Sequence, residues 1–209
     1  MAAHRAYLLD TFGDEPADHL VHDVLRALAL YVRDTVDERR VGVGQQLGHP
    51  DRALTNEAQL ELPDGRRLGY TTYGADSGPL VVVLDGPASR GLARASAPAA
   101  AGLGIRLVAP DRPGVRASTP APDRGIADWP SDHAALLDAL GAQRAGILSQ
   151  SGGTPYAVAA AAVLPERMIA IAALGPVAPF DEPASVRELG GAAPRTRAIR
   201  RRRRAGWRR

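Results

Sequence analysis

The chain has 209 residues, of which 45% are hydrophobic and 23% charged, a composition typical of a globular protein with one sizeable core. It contains no cysteine, which excludes disulfides and thiolate metal sites. His19 and His22 lie three residues apart but lack a carboxylate in a clear ligand pattern, so we expect no metal and no cofactor. Neither a secretory signal nor an apolar run long enough to cross a membrane is evident, which favours a cytoplasmic protein.

Positive charge is concentrated at the C-terminal end of the sequence. The formal net charge is +3, yet residues 195–209 hold nine arginines and no acidic residue, which leaves −6 on the rest of the chain. All 26 basic residues are arginine, a bias that GC-rich coding explains more simply than selection for guanidinium chemistry. We expect a disordered tail here. The alternative is a non-enzymatic function in which the tail binds nucleic acid or another acidic surface.

The N-terminal segment predicts an amphipathic helix. From about Asp14 to Arg40 apolar residues recur every three or four positions, and Asp14 and Pro16 suit a helix start. A glycine-rich linker follows. We therefore predict a helical extension and linker at 1–55, a core at 56–182, and a cap remnant with the arginine-rich tail at 183–209.

Strand and helix signals alternate through the predicted core. A hairpin comes first, with Asp64 and Gly65 at its turn. The predicted strands that follow read PLVVVLDG, IRLVAP, RAGILS and MIAIAALGP, and they are separated by helices at about 90–103, in IADWPSDHAALLDALG and in GTPYAVAAAAVLP. This alternation predicts an α/β fold with a doubly wound, mostly parallel sheet that helices cover on both faces.

Ser151 lies at the predicted turn from strand to helix, in LSQSGGTPYA. The small residues two positions on either side of it, Ser149 and Gly153, suit a nucleophile elbow, in which a tight turn presents a serine above the sheet. The Gly152 amide at the start of the helix would then donate to an oxyanion. Alternatively, Ser151 only caps the helix.

Four motifs resemble the α/β-hydrolase fold superfamily, in its order, over about residues 58–180: VVVLDGPASRG, VAPDRPGVRASTP, IADWPSDHAALLDALG and AGILSQSGG. The resemblance implies that Ser151 is the nucleophile of a serine hydrolase acting on a small-molecule ester or amide. The segment DRPGVRAS is similar to the family's DRPGxGxS loop, which implies a mainly structural role for Asp111 to Ser118.

The resemblance also implies a second oxyanion donor in the loop after PLVVVL. If Pro87 to Arg90 align with the family's PGSR, the donor is Gly86, which has an amide N–H. If Asp85 and Gly86 align with the family's His-Gly, the donor position is Pro87, which has none. We prefer Gly86 because that register keeps four residues in phase.

No histidine follows Ser151 in the sequence, although the family places the acid and then the histidine after the serine. Asp181 is a candidate acid. His133 is expected on a solvent-facing side of its helix, because matching positions in relatives face solvent, and nothing directs His49 to the site. Losing the base typically lowers turnover by about a millionfold. We therefore expect an inactive or very weak enzyme in isolation.

The resemblance implies a helical cap and further strands after MIAIAALG, which the sequence does not contain. We expect this strand to be an unpaired apolar edge of an incomplete domain. Such an edge favours self-association or a complementing C-terminal polypeptide that brings the acid and the histidine.

Overall fold

The computed structural model describes residues 6–9, 56–86 and 90–176, with the backbone alone described at 6–9. These ranges belong to one compact unit that ends at Pro176. The predicted N-terminal helix, the linker and the arginine-rich tail lie outside the described residues. Within these ranges, no helix combines the length and the apolar character that crossing a membrane requires.

The described residues form seven strands and three α-helices. The strands are β1 Ala6–Leu9, β2 Asn56–Glu61, β3 Arg67–Gly74, β4 Leu80–Leu84, β5 Arg106–Pro110, β6 Ala145–Gln150 and β7 Met168–Leu174. The helices are α1 Gly91–Gly102, α2 Trp129–Ala139 and α3 Thr154–Val163, with 3-10 turns at Ile126–Asp128, Ser151–Gly153 and Pro165–Arg167. From residue 56 onward, each predicted strand and helix of the core is present.

All seven strands belong to one sheet with the order β1-β7-β6-β4-β5-β3-β2. The four central strands β7, β6, β4 and β5 run parallel, and antiparallel strands flank them on both sides. The predicted hairpin joins β2 to β3, and its turn contains Gly65 with a φ of +79°, a conformation that favours glycine.

The apolar composition of the central strands explains their position. β4 and β7 are buried along their entire length, as expected for parallel strands that helices cover on both faces. One core cluster lies on the face that carries α1, and a second lies on the face that carries α2 and α3. The predicted α/β class with helices on both faces is therefore confirmed.

The prediction of an unpaired edge at MIAIAALG is wrong. β1 pairs antiparallel with β7, with Ala6 opposite Leu174 and Leu9 opposite Ile171. The short apolar run AYLL at residues 6–9 lies before the predicted helix and carried too little periodicity to be recognised as a strand. This pairing satisfies hydrogen-bonding groups of β7 that we had expected to remain open.

The predicted solvent exposure of His133 is also wrong. His133 is completely buried, and neither ring nitrogen has a hydrogen-bond partner. It belongs to the buried face of α2, whose members recur at helical spacing: Trp129, Asp132, His133, Leu136 and Leu137. Burial, with a smaller contribution from the positive charge of Arg167, lowers the pKa of His133 from 6.5 to about 4.

We predict that His133 makes the fold sensitive to acid. The unfolded chain binds a proton at this residue below its ordinary pKa of 6.5, whereas the folded chain resists protonation until about pH 4. The contribution of the neutral His133 ring to the free energy of unfolding is complete above pH 6.5. It falls by about 2 kcal/mol at pH 5 and by about 3 kcal/mol near pH 4.

Urea unfolding at pH 7 and pH 5 checks this prediction by comparing the wild type with His133→Leu. The leucine variant retains the effects of the carboxylates and lacks only the contribution of the imidazole. We expect its free energy of unfolding to fall less than that of the wild type. An equal fall in both proteins contradicts the assignment.

Candidate functional site

Ser151 lies directly after β6 in a strained backbone conformation. Its φ is +48°, in the left-handed region that residues with a Cβ rarely adopt, and its side chain is exposed. The 3-10 turn Ser151–Gly153 follows and leads into α3. This geometry matches a nucleophile elbow, in which a sharp strand-to-helix turn presents the serine hydroxyl above the sheet. No described residue hydrogen-bonds the Ser151 side chain.

Gly153 allows this turn to pack against the end of β4. A Cβ placed on Gly153 would lie 1.9 Å from the carbonyl oxygen of Leu84 and 2.6 Å from its carbonyl carbon. On the other side of the serine, Ser149 is completely buried, and its Oγ lies 3.3 Å from the carbonyl oxygen of Ala172. The small residues at both positions are thus explained by contact with neighbouring strands.

The structure brings Gly86 and Gly152 to Ser151. A Cβ placed on Gly86 would lie 3.2 Å from Ser151 Cβ and 3.6 Å from Ser151 Oγ, and one placed on Gly152 would lie 3.4 Å from the Gly86 carbonyl oxygen. Among the described residues, none accepts a hydrogen bond from the Gly152 N–H. The two predicted donor residues therefore border the same serine, whereas Pro87 lies outside the described residues.

The Gly86 N–H is already engaged. It donates to Asp85 Oδ1 at 2.7 Å, and Asp85 Oδ2 accepts the N–H of Leu92 at 3.1 Å. Leu92 is in the first turn of α1, so the Asp85 carboxylate lies at the start of that helix and covers the Gly86 amide at the same time.

Arg112 holds the two loops of the site together, which the sequence did not reveal. Its guanidinium donates to the carbonyl oxygens of Gly152 and Asp85, each at 3.2 Å, and to that of Gly86. It also lies 4.7 Å above the ring of Tyr156 in α3. The predicted structural role of the DRPGVRAS segment thus includes direct contacts with both sides of the candidate site.

A buried ion pair joins two of the motifs. Arg90 donates from Nε to Asp111 Oδ1 at 3.0 Å and from Nη2 to Asp111 Oδ2 at 2.6 Å, and its Nη1 reaches Glu57 at 2.5 Å. Burial opposes the charge of Arg90, but the bonds to Asp111 and Glu57 prevail and raise its pKa. This bidentate pair fixes the start of α1 relative to the loop after β5.

The loop after β5 departs from the family pattern at Arg116. Where DRPGxGxS has its second glycine, Arg116 adopts a φ of +47°. Ser118 anchors the far end of the loop, since its Oγ donates to the Asp111 carbonyl at 2.6 Å and accepts the Gly69 N–H at 2.8 Å. The loop keeps the backbone shape that glycine favours, although an arginine occupies the position.

The structure describes only one of the remaining candidate residues, His133. The candidate acid Asp181 and the histidines at 4, 19, 22 and 49 lie outside the described residues, and buried His133 makes no hydrogen bond to Ser151. Among the residues that the structure describes, no group of histidine and carboxylate side chains could hold a metal ion.

Comparisons with known proteins identify the fold family. The profile of the α/β hydrolase fold family matches residues 79–197. Matching solved structures include a hydrolase from Pseudomonas aeruginosa PA01, 30% identical with a TM-score of 0.50 over 54% of this chain and 43% of that one. Epoxide Hydrolase A from Mycobacterium thermoresistibile is 30% identical, with a TM-score of 0.49 over 55% of this chain and 37% of that one. Epoxide hydrolase VrEH1 from Vigna radiata is 21% identical, with a TM-score of 0.48 over 57% of this chain and 38% of that one.

The sheet order and the helices on both faces define a doubly wound α/β protein with a sharp turn at Ser151, and the family profile spans more than half of the sequence. The chain belongs to the α/β hydrolase fold family. It spans about two fifths of the length of the solved structures named above. A search of curated protein sequences finds no significant match.

We predict that Gly153→Ala strongly destabilises the protein, because the new methyl group meets the Leu84 backbone at 1.9 Å and the strand or the turn must move. The free energy of unfolding should fall by about 3 kcal/mol or more. Gly152→Ala is the matched control, since its Cβ lies at an ordinary contact distance of 3.4 Å from the Gly86 carbonyl oxygen. Thermal unfolding that shifts equally in both variants contradicts the close contact.

We predict that Arg116→Gly stabilises the protein by about 1 kcal/mol, because glycine adopts the left-handed backbone conformation without a Cβ penalty. The Arg116 side chain is half exposed and its Nε lies 3.8 Å from Asp111 Oδ1, a long and weak ion pair. Loss of the side chain should therefore change the free energy of unfolding little. Arg116→Ala removes the same charge but keeps the Cβ. Denaturant unfolding should show a gain for glycine and none for alanine; equal stability of the two variants would refute the backbone argument.

Proposed function

We propose that this chain carries the nucleophile and the oxyanion donors of a serine hydrolase that acts on a small-molecule ester or amide. The observation that supports this most directly is the strained, exposed Ser151 with Gly86 packed against its side chain. Backbone strain that the surrounding structure maintains is typical of functional sites. The similarity to a Pseudomonas aeruginosa protein described as a hydrolase points in the same direction.

In the proposed reaction the Ser151 Oγ bonds to the carbonyl carbon of the substrate, and its proton passes to a base. The carbonyl oxygen becomes an oxyanion that accepts a hydrogen bond from the Gly152 amide, and from the Gly86 amide when Asp85 releases it. The alcohol or amine then leaves with a proton. Water attacks the acyl-serine, which releases the acid and restores the hydroxyl.

Among the residues that the structure describes, no general base hydrogen-bonds Ser151. The sequence has no histidine after Ser151, and we propose that turnover by this chain is absent or very weak unless another polypeptide contributes the histidine. Asp181 is the candidate acid in this proposal. Binding and an oxyanion hole alone leave about 10³ to 10⁴-fold acceleration over water.

A fluorophosphonate probe tests the proposal on the complete chain. The Ser151 Oγ bonds to phosphorus while the P–F bond breaks, fluoride leaves with the electron pair, and the hydroxyl proton passes to the buffer. We expect slow labelling that mass spectrometry locates at Ser151 and that Ser151→Ala abolishes.

Ser131 provides a matched control, because it is another serine on the surface and its hydroxyl donates to the Asp128 carbonyl at 2.8 Å. Ser131→Ala should leave the labelling unchanged. Labelling that persists in Ser151→Ala, or complete absence of labelling in the wild type at long exposure, argues against a nucleophilic Ser151.

The alternative function, in which the arginines at 195–209 bind nucleic acid or another acidic surface, stays a prediction. These residues lie outside the described part of the chain. The proposed enzymatic function does not depend on them.

A further inference from the structure

We propose that Asp85 blocks the Gly86 N–H, which is the second oxyanion donor, and thereby determines whether an anionic ligand can accept a hydrogen bond from it. The inference rests on the proposed function, because it concerns the donor residue next to Ser151. Its basis is the hydrogen bond of 2.7 Å from the Gly86 N–H to Asp85 Oδ1.

The surroundings of the Asp85 carboxylate hold it beside the Gly86 N–H. Asp85 is 9% exposed, and its second oxygen accepts the Leu92 N–H in the first turn of α1. α1 has no acidic residue in its first turn and no side-chain cap of its own, so Asp85 supplies the negative charge that a helix N-terminus favours. The same contact that stabilises the helix holds the carboxylate over the Gly86 amide.

The opposite side of the Gly86 peptide is held as well. The peptide group that contains the Gly86 N–H has the carbonyl oxygen of Asp85 at its other end, and this oxygen accepts from Arg112 at 3.2 Å. Arg112 also donates to the Gly152 carbonyl. This peptide group is therefore restrained at both ends, and a rotation that frees the amide must break the contact with Arg112 as well as the one with Asp85. Displacing the carboxylate alone is the smaller change.

Two effects oppose an oxyanion at this position. The amide has one hydrogen, and Asp85 occupies it. In addition, a carboxylate beside a developing negative charge repels it, and the repulsion is strong where water is scarce. Asp85 thus selects against anionic tetrahedral ligands at Gly86, whereas the Gly152 N–H has no acceptor among the described residues.

Removing the carboxylate should therefore increase the reaction of Ser151 with the fluorophosphonate probe. One oxyanion donor is worth roughly 10² to 10³ in rate. We expect Asp85→Ala to raise the labelling rate by about tenfold to a hundredfold. Asp85→Asn removes the charge but keeps one acceptor oxygen, so its rate should lie between those of the wild type and the alanine variant.

Asp128 offers a matched control. Its Oδ2 accepts the Gly125 N–H at 2.7 Å, the same pairing of carboxylate and glycine amide, in an exposed turn at the start of α2. Asp128→Ala should leave the labelling rate at the wild-type value. Equal, measurable rates in the wild type and both Asp85 variants overturn the inference.

Amide hydrogen exchange provides a readout that needs no reaction at Ser151. By NMR, Asp85→Ala should accelerate exchange at Gly86 by about tenfold or more, and Asp128→Ala should do so at Gly125 only. If no protein is labelled but Gly86 exchange follows Asp85, the proposed function fails and the blocking by Asp85 stands. If Gly86 exchanges equally fast in the wild type and in the folded Asp85→Asn and Asp85→Ala variants, the blocking is refuted.

Discussion

The contact between the end of β4 and the turn after β6 is the constraint on which the candidate site depends. The two strands are parallel neighbours with Leu84 opposite Ser149, so their carboxyl ends lie side by side. Only a residue without a side chain fits where Gly153 meets the Leu84 carbonyl. Because α3 must begin there, the chain reverses sharply at Ser151, which explains its left-handed backbone. Packing of the sheet and exposure of the serine therefore have the same cause.

Asp111 and Arg112 explain why the loop after β5 accompanies such a turn. The carboxylate of Asp111 is buried in its bidentate pair with Arg90, while the next side chain donates to the carbonyls of Gly86 and Gly152. A buried ion pair contributes modest net stability, but removal of one partner is strongly destabilising. Its main effect here is geometric, since it fixes the loop from which Arg112 reaches both sides of the site.

The sequence was sufficient for the order of strands and helices and for the location of Ser151, because buried strands and small-residue spacing leave clear local patterns. It did not place β1, since the edge that a four-residue strand joins is decided by contacts distant in sequence. The periodicity of α2 places His133 on the same face as Trp129 and Leu136 and so predicts its burial, whereas matching positions in relatives indicate the solvent-facing side. The contacts of Asp85 and Arg112 could not be read at all, because side-chain directions in loops follow no period.

Stability of the folded chain and stabilisation of an oxyanion require different partners for the Gly86 N–H. A carboxylate at the start of α1 stabilises the folded chain at all times, whereas an oxyanion donor stabilises only a transient species. Selection for turnover would keep the Gly86 N–H open at some expense in stability. Where no histidine acts on Ser151, that requirement is absent, and helix stability alone decides which group the amide contacts. The covered amide thus agrees with the proposal that this chain turns over substrate very weakly or not at all.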